Sequence, residues 1–325
     1  METPNILKKQ DVYIIEYPEA VKFADTQNSV FWTADEIDVS KDVQDIMTGM
    51  TDAERYATIE VLKLFTQYEL AIGNEYWGER VKQDFQRPDI QRMANSFSYF
   101  EINVHAPFYN KLNEALHLNT HGFLNEYKQD PVLSSRMTFI DEQLNSPDIL
   151  HSLGVFSMVE GAILYSNFAF LKHFQSQGKN KMLNVVRGIN FSVRDENLHN
   201  EGGAWLFRTL LKESNLSDYE TDKLFENIRD AAKHIREHEH RIIAKMFTKG
   251  PIDGITQIQM NNFIDSRINL CLKKIGIDKL FDVTYNPIAE WFYKGINSYT
   301  FHDFFTGTGN QYNRKWDESK LGWTN

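Results

Sequence analysis

The order of apolar and polar residues along the chain predicts long amphipathic helices. Residues 52–81 give the clearest example, because Thr51 is a suitable N-cap and apolar residues recur through the segment at helical spacing. These apolar positions are Ile59, Leu62, Phe65, Leu70 and Ile72. We therefore expect one long helix here.

Six further segments are predicted to be helical. They cover residues 90–116, 132–144, 148–174, 181–213, 217–249 and 257–275. Ser217 and Glu220 form a capping-box start, and Gly250 and Pro251 mark the end of that helix. The sequence shows no series of strand-like hairpins, so we expect an all-α fold.

The two ends of the chain are less periodic, and we expect them to pack across the outside of a helical bundle. We interpret residues 1–325 as a single domain with an N-terminal arm of about residues 1–50. A polar, glycine-containing C-terminal tail of about residues 306–325 is predicted to be flexible.

Composition indicates a globular protein with a real core, since 42% of residues are hydrophobic and 25% are charged. Apolar stretches such as residues 163–170 are interrupted well short of the ~20 residues that cross a bilayer. The N-terminus lacks the basic-then-apolar pattern of a signal peptide. We expect a cytoplasmic protein with no membrane partner.

Charge and cysteine content exclude two further classes of protein. A net charge of -10 argues against a broad phosphate-binding surface, so nucleic acid is not an expected partner. A single cysteine, Cys271, excludes an intramolecular disulfide framework and a thiolate-rich metal site.

Glutamates and histidines occur inside apolar helical stretches, where an ionised carboxylate is costly unless it is paired or bound to metal. Glu196 and His199 are spaced i and i+3, and Glu101 and His105 are spaced i and i+4. Both spacings place the two side chains on one helix face. Each pair could therefore hold one ion.

Two further helices each carry a lone glutamate among apolar neighbours, Glu69 and Glu160. The complete set matches the known pattern of ferritin-like dimetal proteins, in which two helices give a Glu and two give a Glu-x-x-His motif. Mixed carboxylate and imidazole ligands suit iron or manganese, and the absence of thiolates disfavours structural zinc. We predict a ferritin-like helical bundle with a dimetal carboxylate centre.

A single Glu-x-x-His motif would be weak evidence for a metal site, because helix surfaces are rich in both residues. The prediction depends on the two Glu/His pairs occurring together with two lone glutamates.

No metal role is predicted for the other histidines. His234, His238 and His240 lie among charges that are typical of a solvated helix face. The remaining ones are His117, His121, His151, His173 and His302.

Around these residues the chain resembles the small subunit of class I ribonucleotide reductases, from Phe31 to about Phe305. The most specific match is Arg194-Asp195-Glu196-Asn197-Leu198-His199, where the family has Arg-Asp-Glu-x-x-His. Other matching segments are Phe31-Trp32, Glu160-Gly161, Phe168-Ala169-Phe170, Asn286-Pro287 and Phe304-Phe305.

The resemblance implies that Glu69, Glu101 and His105 hold one metal. It also implies that Glu160, Glu196 and His199 hold the other, with Glu101 and Glu196 as bridges. Trp32 would hydrogen-bond Asp195, which would orient His105. Tyr109 corresponds to the radical tyrosine, which passes an oxidising equivalent to a separate large catalytic subunit. Tyr165 is its nearest competitor in sequence and is expected to point away.

Three departures from the family qualify these implications. Glu69 stands where the family most often has Asp, and this leaves Fe/Fe, Mn/Fe and Mn/Mn pairs open. One extra residue lies between Glu101 and His105. Because Pro107 lacks an amide hydrogen, we expect this helix to contain an irregularity such as a π-bulge. The short tail offers Tyr312, Trp316 and Trp323 without an assignable relay residue.

The resemblance further implies a homodimer whose C-terminal tail docks on the large subunit. Two rival functions use the same kind of fold. One is a ferritin-like oxidase or desaturase-like protein acting directly on a small molecule or lipid. The other is an iron-storage or purely structural bundle.

Overall fold

The computed structural model describes residues 3–293, apart from the side chain of Leu64, and the described part is dominated by eight long helices. They are α1 (Pro18–Ser29), α2 (52–84), α3 (88–115), α4 (Pro131–Leu144), α5 (Ile149–Gln175), α6 (Leu183–Ser214), α7 (Asp218–Met246) and α8 (Gln257–Lys274). Between residues 3 and 293 there is no strand, only an isolated bridge between Ile252 and Ile255. The all-α prediction is confirmed.

Side-chain caps explain why several helices begin where they do. Thr51 accepts a hydrogen bond from the amide of Glu54, and the Glu54 carboxylate accepts one from the Thr51 amide at 2.9 Å. Ser217 and Glu220 form the same reciprocal cap at the start of α7, as the sequence predicts. Each cap satisfies amide groups that the first helical turn leaves without partners.

The N-terminal region contains a helix that the sequence pattern does not reveal. In α1 the buried positions are Ala20, Ala24 and Gln27, so the apolar signal is weak. Pro18 starts the helix at a position where its missing amide hydrogen costs nothing. The helix packs on α3 and α6, so residues Pro18–Ser29 are part of the helical packing.

The core centres on α5, which contacts α4, α6, α7 and α8. By length and composition α5 could cross a membrane. Its apolar stretch is therefore longer than the interrupted stretches predicted from the sequence. However, 89% of its most apolar window is buried inside the described structure. Burial of this kind is typical of a central helix in a bundle.

Three helices widen into π-helical turns, and each turn contains or follows a predicted metal ligand. The turns are Ala71–Arg80 just after Glu69, Glu101–His105, and Val159–Ile163 around Glu160. The predicted irregularity in the helix of Glu101 is therefore confirmed. A π turn absorbs one extra residue, and this one contains the residue by which the segment from Glu101 to His105 exceeds a Glu-x-x-His motif.

Candidate dimetal centre

Four helices bring the six predicted ligand side chains together in the core. Glu69 comes from α2, Glu101 and His105 from α3, Glu160 from α5, and Glu196 and His199 from α6. All six are buried, with 0–3% of their surface exposed. Their donor atoms form two groups, each with all atoms within 4.8 Å of one another.

The two groups share two carboxylates. One contains Glu69 and His105, the other contains Glu160 and His199, and Glu101 and Glu196 belong to both. This is the arrangement that a pair of metal ions with bridging carboxylates requires. The six side chains are divided between the two groups as the resemblance implies.

Both imidazoles turn the same ring atom, Nδ1, toward the carboxylates. His105 Nδ1 lies 2.8 Å from Glu101 Oε2 and 3.2 Å from Glu196 Oε1. His199 Nδ1 contacts Glu101 Oε1 and lies 3.8 Å from Glu196 Oε2. The carboxylates of Glu101 and Glu196 therefore lie between the two rings.

The opposite ring nitrogen of His105 meets a buried carboxylate. Asp195 Oδ2 lies 3.2 Å from His105 Nε2 and accepts a hydrogen bond of 2.7 Å from Trp32 Nε1. Arg194 donates to the other oxygen, Oδ1, at 3.2 Å. A carboxylate in this position fixes the tautomer and orientation of the ring. The predicted contacts of Trp32, Asp195 and His105 are all present.

Two partners of the site were missed by the sequence analysis. Gln27 of α1 places its Oε1 atom 3.0 Å from His199 Nε2, and Trp77 Nε1 donates to Glu160 Oε1 at 2.5 Å. Trp77 lies eight residues after Glu69 on the same helix, which is the only signal that could have pointed to it. Gln27 is polar and fully buried in a weakly patterned segment, and sequence alone does not show burial.

The close carboxylates disturb one another's ionisation. Burial, reinforced by Glu101, raises the pKa of Glu69 well above its usual value and that of Glu196 to about 7. Burial together with Glu196 likewise raises the pKa of Glu160. Burial acts in the same direction on Glu101, yet the neighbouring His105 and His199 hold its pKa well below the ordinary value. Such a cluster calls for compensating positive charge.

The residues fit a pair of metal ions. Glu69 Oε1 is buried and makes no hydrogen bond in the described structure, and Glu101 Oε1, Glu196 Oε1 and His199 Nδ1 contact other donor atoms of the cluster without forming a hydrogen bond. Buried polar atoms normally find a partner, so these are suited to coordinate ions. A set of carboxylate oxygens and imidazole nitrogens without thiolate suits iron and manganese.

Tyr109 lies one turn beyond His105 and is 2% exposed. Its ring stacks on Phe65 with the centroids 4.4 Å apart. Burial raises the pKa of its phenol well above the usual value, and the negative charge of Glu69 acts in the same direction. The phenol is therefore protonated at neutral pH and lies in a dry environment.

The other histidines stay outside both donor groups within residues 3–293. The prediction of a solvated face is wrong for His238, which is 9% exposed and packs against Phe139. Burial lowers its pKa to about 4, so it is neutral. His240 hydrogen-bonds Asp265 at 2.8 Å. The apolar face of α7 was not apparent from the sequence, because His238 and its neighbours there are mostly charged or polar.

Several predictions lie outside the described residues. They concern His302, Phe304-Phe305, Tyr312, Trp316, Trp323 and the tail of residues 306–325.

A family model for the small chain of ribonucleotide reductase matches residues 9–287. Among relatives, the probable ribonucleoside-diphosphate reductase small subunit of invertebrate iridescent virus 3 is 27% identical over 91% of this chain and 82% of its own length. The ribonucleoside-diphosphate reductase small chain of Schizosaccharomyces pombe is 26% identical over 91% of this chain and 76% of its own.

Solved structures share the fold. The R2 subunit of ribonucleotide reductase from Clostridium botulinum matches with a TM-score of 0.78 and 21% identity, over 91% of this chain and 94% of that chain. Dimanganese(II)-NrdF from Streptococcus sanguinis matches with a TM-score of 0.75 and 22% identity, over 89% of this chain and 99% of that chain. The ferritin-like bundle prediction is confirmed.

Proposed function

The chain belongs to the family of ribonucleotide reductase small chains, and we propose that it is the radical-generating subunit of a cytoplasmic ribonucleoside-diphosphate reductase. The observation that carries this proposal is the six-residue cluster continued by the contacts from His105 through Asp195 to Trp32. A site for metals alone would use a carboxylate such as Asp195 behind its histidine, but would not need the Trp32 indole beyond that carboxylate.

We assign the ligands as two sets that share Glu101 and Glu196. Glu69 and His105 complete one set, and Glu160 and His199 complete the other. Asp195, Gln27 and Trp77 hold these ligands in place through single hydrogen bonds. The ions are Fe/Fe, Mn/Fe or Mn/Mn, and the longer side chain of Glu69 is the feature that leaves the choice open.

When bound, the metal pair supplies a one-electron oxidant made with dioxygen or a related oxidant. Tyr109 would give one electron to that oxidant and its hydroxyl proton to the oxygen that is reduced, and a neutral phenoxyl radical would remain on this chain. The surrounding rings, including Phe65, exclude water from the phenol. Radical storage at Tyr109 therefore depends on a dry, rigid site.

The oxidising equivalent would leave toward a separate large catalytic subunit, where ribonucleotides are reduced. Trp32 begins this exit, because its indole lies 5.6 Å from Phe108, whose ring is in turn 5.2 Å from Tyr109. We propose that the protein acts as a homodimer and that its C-terminal tail docks on the large subunit. Neither nucleic acid nor a membrane is needed for this function.

The decisive experiment combines the purified chain, loaded with metals and exposed to oxidant, with a ribonucleotide reductase large subunit. Formation of deoxyribonucleotides only in the mixture is expected. Oxidation of an added lipid or small molecule by this chain alone would favour the direct oxidase instead. Accumulation of many iron atoms per chain, without either activity, would indicate storage.

A further inference from the structure

A line of aromatic rings leads from Tyr109 to a second buried tyrosine. Phe65 stacks on Tyr109, Phe168 lies 5.6 Å from Phe65, and Tyr165 lies 5.6 Å from Phe168. Tyr165 is itself 1% exposed. A line of ring contacts thus joins Tyr109 to a second phenol through Phe65 and Phe168, whereas Trp32 is reached through Phe108.

The line continues beyond Tyr165 toward the end of the described chain. The ring of Phe292 lies 5.8 Å from Tyr165, and Tyr293 lies 5.4 Å from Phe292. If the oxidising equivalent moved from Tyr109 to Tyr165, it would be lost to nucleotide reduction, because it would bypass the contact of Trp32 with Asp195. The protein therefore benefits from a barrier at Tyr165.

Arg267 supplies such a barrier. Its guanidinium carbon lies 3.8 Å from the centroid of the Tyr165 ring, and the side chain is 1% exposed. It donates to the carbonyl of Gly161 at 2.8 and 2.6 Å and to the Tyr293 hydroxyl at 3.0 Å. Within the described residues it forms no ion pair with a carboxylate, so its charge acts on the aromatic rings uncompensated.

Tyr165 also lacks a base. Its hydroxyl makes no hydrogen bond among the described residues. An electron taken from Tyr165 would therefore leave before the proton could follow, and a radical cation would form on the ring. That cation would lie against the permanent positive charge of Arg267, at a distance where like charges repel strongly in a protein interior.

A second cation lies further along the same line. Lys172 Nζ is 4.5 Å from the centroid of Phe292 and donates to the Phe292 carbonyl at 3.1 Å. Burial lowers the pKa of Lys172 to about 7, so its charge is partial at neutral pH. Arg267, which stays charged, is the stronger barrier.

Building on the proposed radical at Tyr109, we propose that Arg267 is a specificity-determining residue that confines the oxidising equivalent to Tyr109 by preventing oxidation of Tyr165. The avoided step is the transfer of one electron from the Tyr165 phenol to the Tyr109 radical. In that step Tyr109 would regain one electron and become a phenolate, and Tyr165 would lose one electron and become a radical cation; the proton would pass from Tyr165 to Tyr109 only afterwards.

The test compares charge-retaining and charge-removing variants of the full chain, loaded with manganese(II) and iron(II) and exposed to dioxygen. Arg267→Lys keeps the charge, whereas Arg267→Gln keeps a donor for the Gly161 carbonyl and loses the charge. Metal content is measured for each, because Gly161 neighbours Glu160. The readouts are the lifetime of the radical in electron paramagnetic resonance and oxidation of Tyr165 in peptide mass spectrometry.

In Arg267→Gln we expect the radical, per metal bound, to decay at least about tenfold faster than in the wild type or Arg267→Lys. Oxidised Tyr165 should appear, and adding Tyr165→Phe should restore the lifetime. A purely structural role of Arg267 would not give this rescue. An unchanged lifetime in Arg267→Gln, or fast decay that persists in the double variant, overturns the inference.

If Arg267→Gln does not fold, Arg267→Met, which fills a similar volume, replaces it under the same criteria. If the wild type forms no radical on Tyr109, the proposed radical site fails by itself. Tyr165 oxidation is then compared between the Gln and Lys variants under the same oxidant; greater oxidation in the Gln variant supports the barrier, and equal oxidation overturns it.

Discussion

At the scale of single residues, Tyr109 differs from the proposed metal ligands in the contacts that it does not make. Its hydroxyl makes no hydrogen bond to a proposed ligand in the described structure, and it belongs to neither group of donor atoms. Tyr109→Phe should therefore keep both metals, which elemental analysis would measure. The organic radical signal and nucleotide reduction with the large subunit should both disappear. Full activity in this variant would mean that the metals or another residue store the oxidising equivalent.

Trp77 supports the site through one hydrogen bond, and this makes a clean substitution possible. Trp77→Phe keeps an aromatic ring among Phe97 and Phe156 but removes the donor to Glu160. Loss of such a partner typically lowers metal affinity or activity by about 10–100-fold. Competition with a metal-binding dye would measure the change. Trp205→Phe, a half-buried tryptophan packed on Tyr17 and Phe23, is the control and should bind as the wild type does.

The proposed ligand residues could be predicted because a carboxylate inside an apolar helix is costly unless a cation or a hydrogen-bond partner compensates it. Glu69 and Glu160 stand out in sequence on this ground alone. Gln27 and Trp77 do not, because each is ordinary in its own segment and meets its partner only after folding, 172 and 83 residues away along the chain. Local patterns reveal which residue is unusual for its helix, but not which distant residue will contact it.

At the scale of elements, close approach of two π-helical turns positions Glu101. A Cβ atom at Gly73 would lie 2.6 Å from Glu101 Cβ and 2.8 Å from Ile102 Cδ1, so only glycine fits. Gly73→Ala should push α2 and α3 apart, destabilise the fold by about 1–3 kcal/mol and reduce the metal bound per chain. Thermal unfolding and elemental analysis test this. Gly122→Ala, which would meet only Thr120 Oγ1 at 3.8 Å, is the matched control; equal effects of the two substitutions would contradict the prediction.

A buried ion pair and a hydrogen bond from the same arginine connect α4, α5 and α7 at the π turn that contains Glu160. Arg136 of α4 contacts Glu239 of α7 at 3.0 Å and donates to the carbonyl of Ile163 in α5 at 3.1 Å. Arg136→Met would leave the Glu239 carboxylate buried in the core without its ion-pair partner. We expect a loss of about 3–5 kcal/mol in the free energy of unfolding, measured with urea. Adding Glu239→Gln should recover much of this loss; no recovery would show that packing, not charge, is the cause.

The helices themselves were largely predictable, since the seven expected segments appear with ends shifted by at most three residues at each end. The π turn at Glu101 was also accessible, because an extra residue and Pro107 both disfavour a regular helix there. The turns at Ala71–Arg80 and Val159–Ile163 have no such local signal. They depend on contacts between helices, such as the hydrogen bonds from Arg267 to Gly161, that only the folded molecule provides.

At the scale of the whole molecule, the proposed site is complete within one chain. Its residues lie between Gln27 and His199, and the described part of one chain buries all of them. A homodimer would therefore serve stability and partner docking instead of completing the metal site. Light scattering should give twice the 38.0 kDa chain mass at micromolar concentration. A monomer that binds metal and forms the radical would remove the dimer from the proposal without affecting the site.

The C-terminal tail is separated in sequence from the proposed metal site, so its role in docking can be tested without changing the site. Residues 306–325 lie far along the sequence from the ligands and are rich in polar residues, with aromatic side chains that could anchor a docked segment. Deleting them should leave metal content and the Tyr109 radical unchanged, because no ligand or buried partner of the site is lost. Binding to the large subunit and nucleotide reduction should both fail, and a synthetic peptide of these residues should inhibit the intact enzyme by competing for the docking surface. A truncated chain that still binds the large subunit and supports nucleotide reduction would show that the partner instead recognises the helical body of the protein.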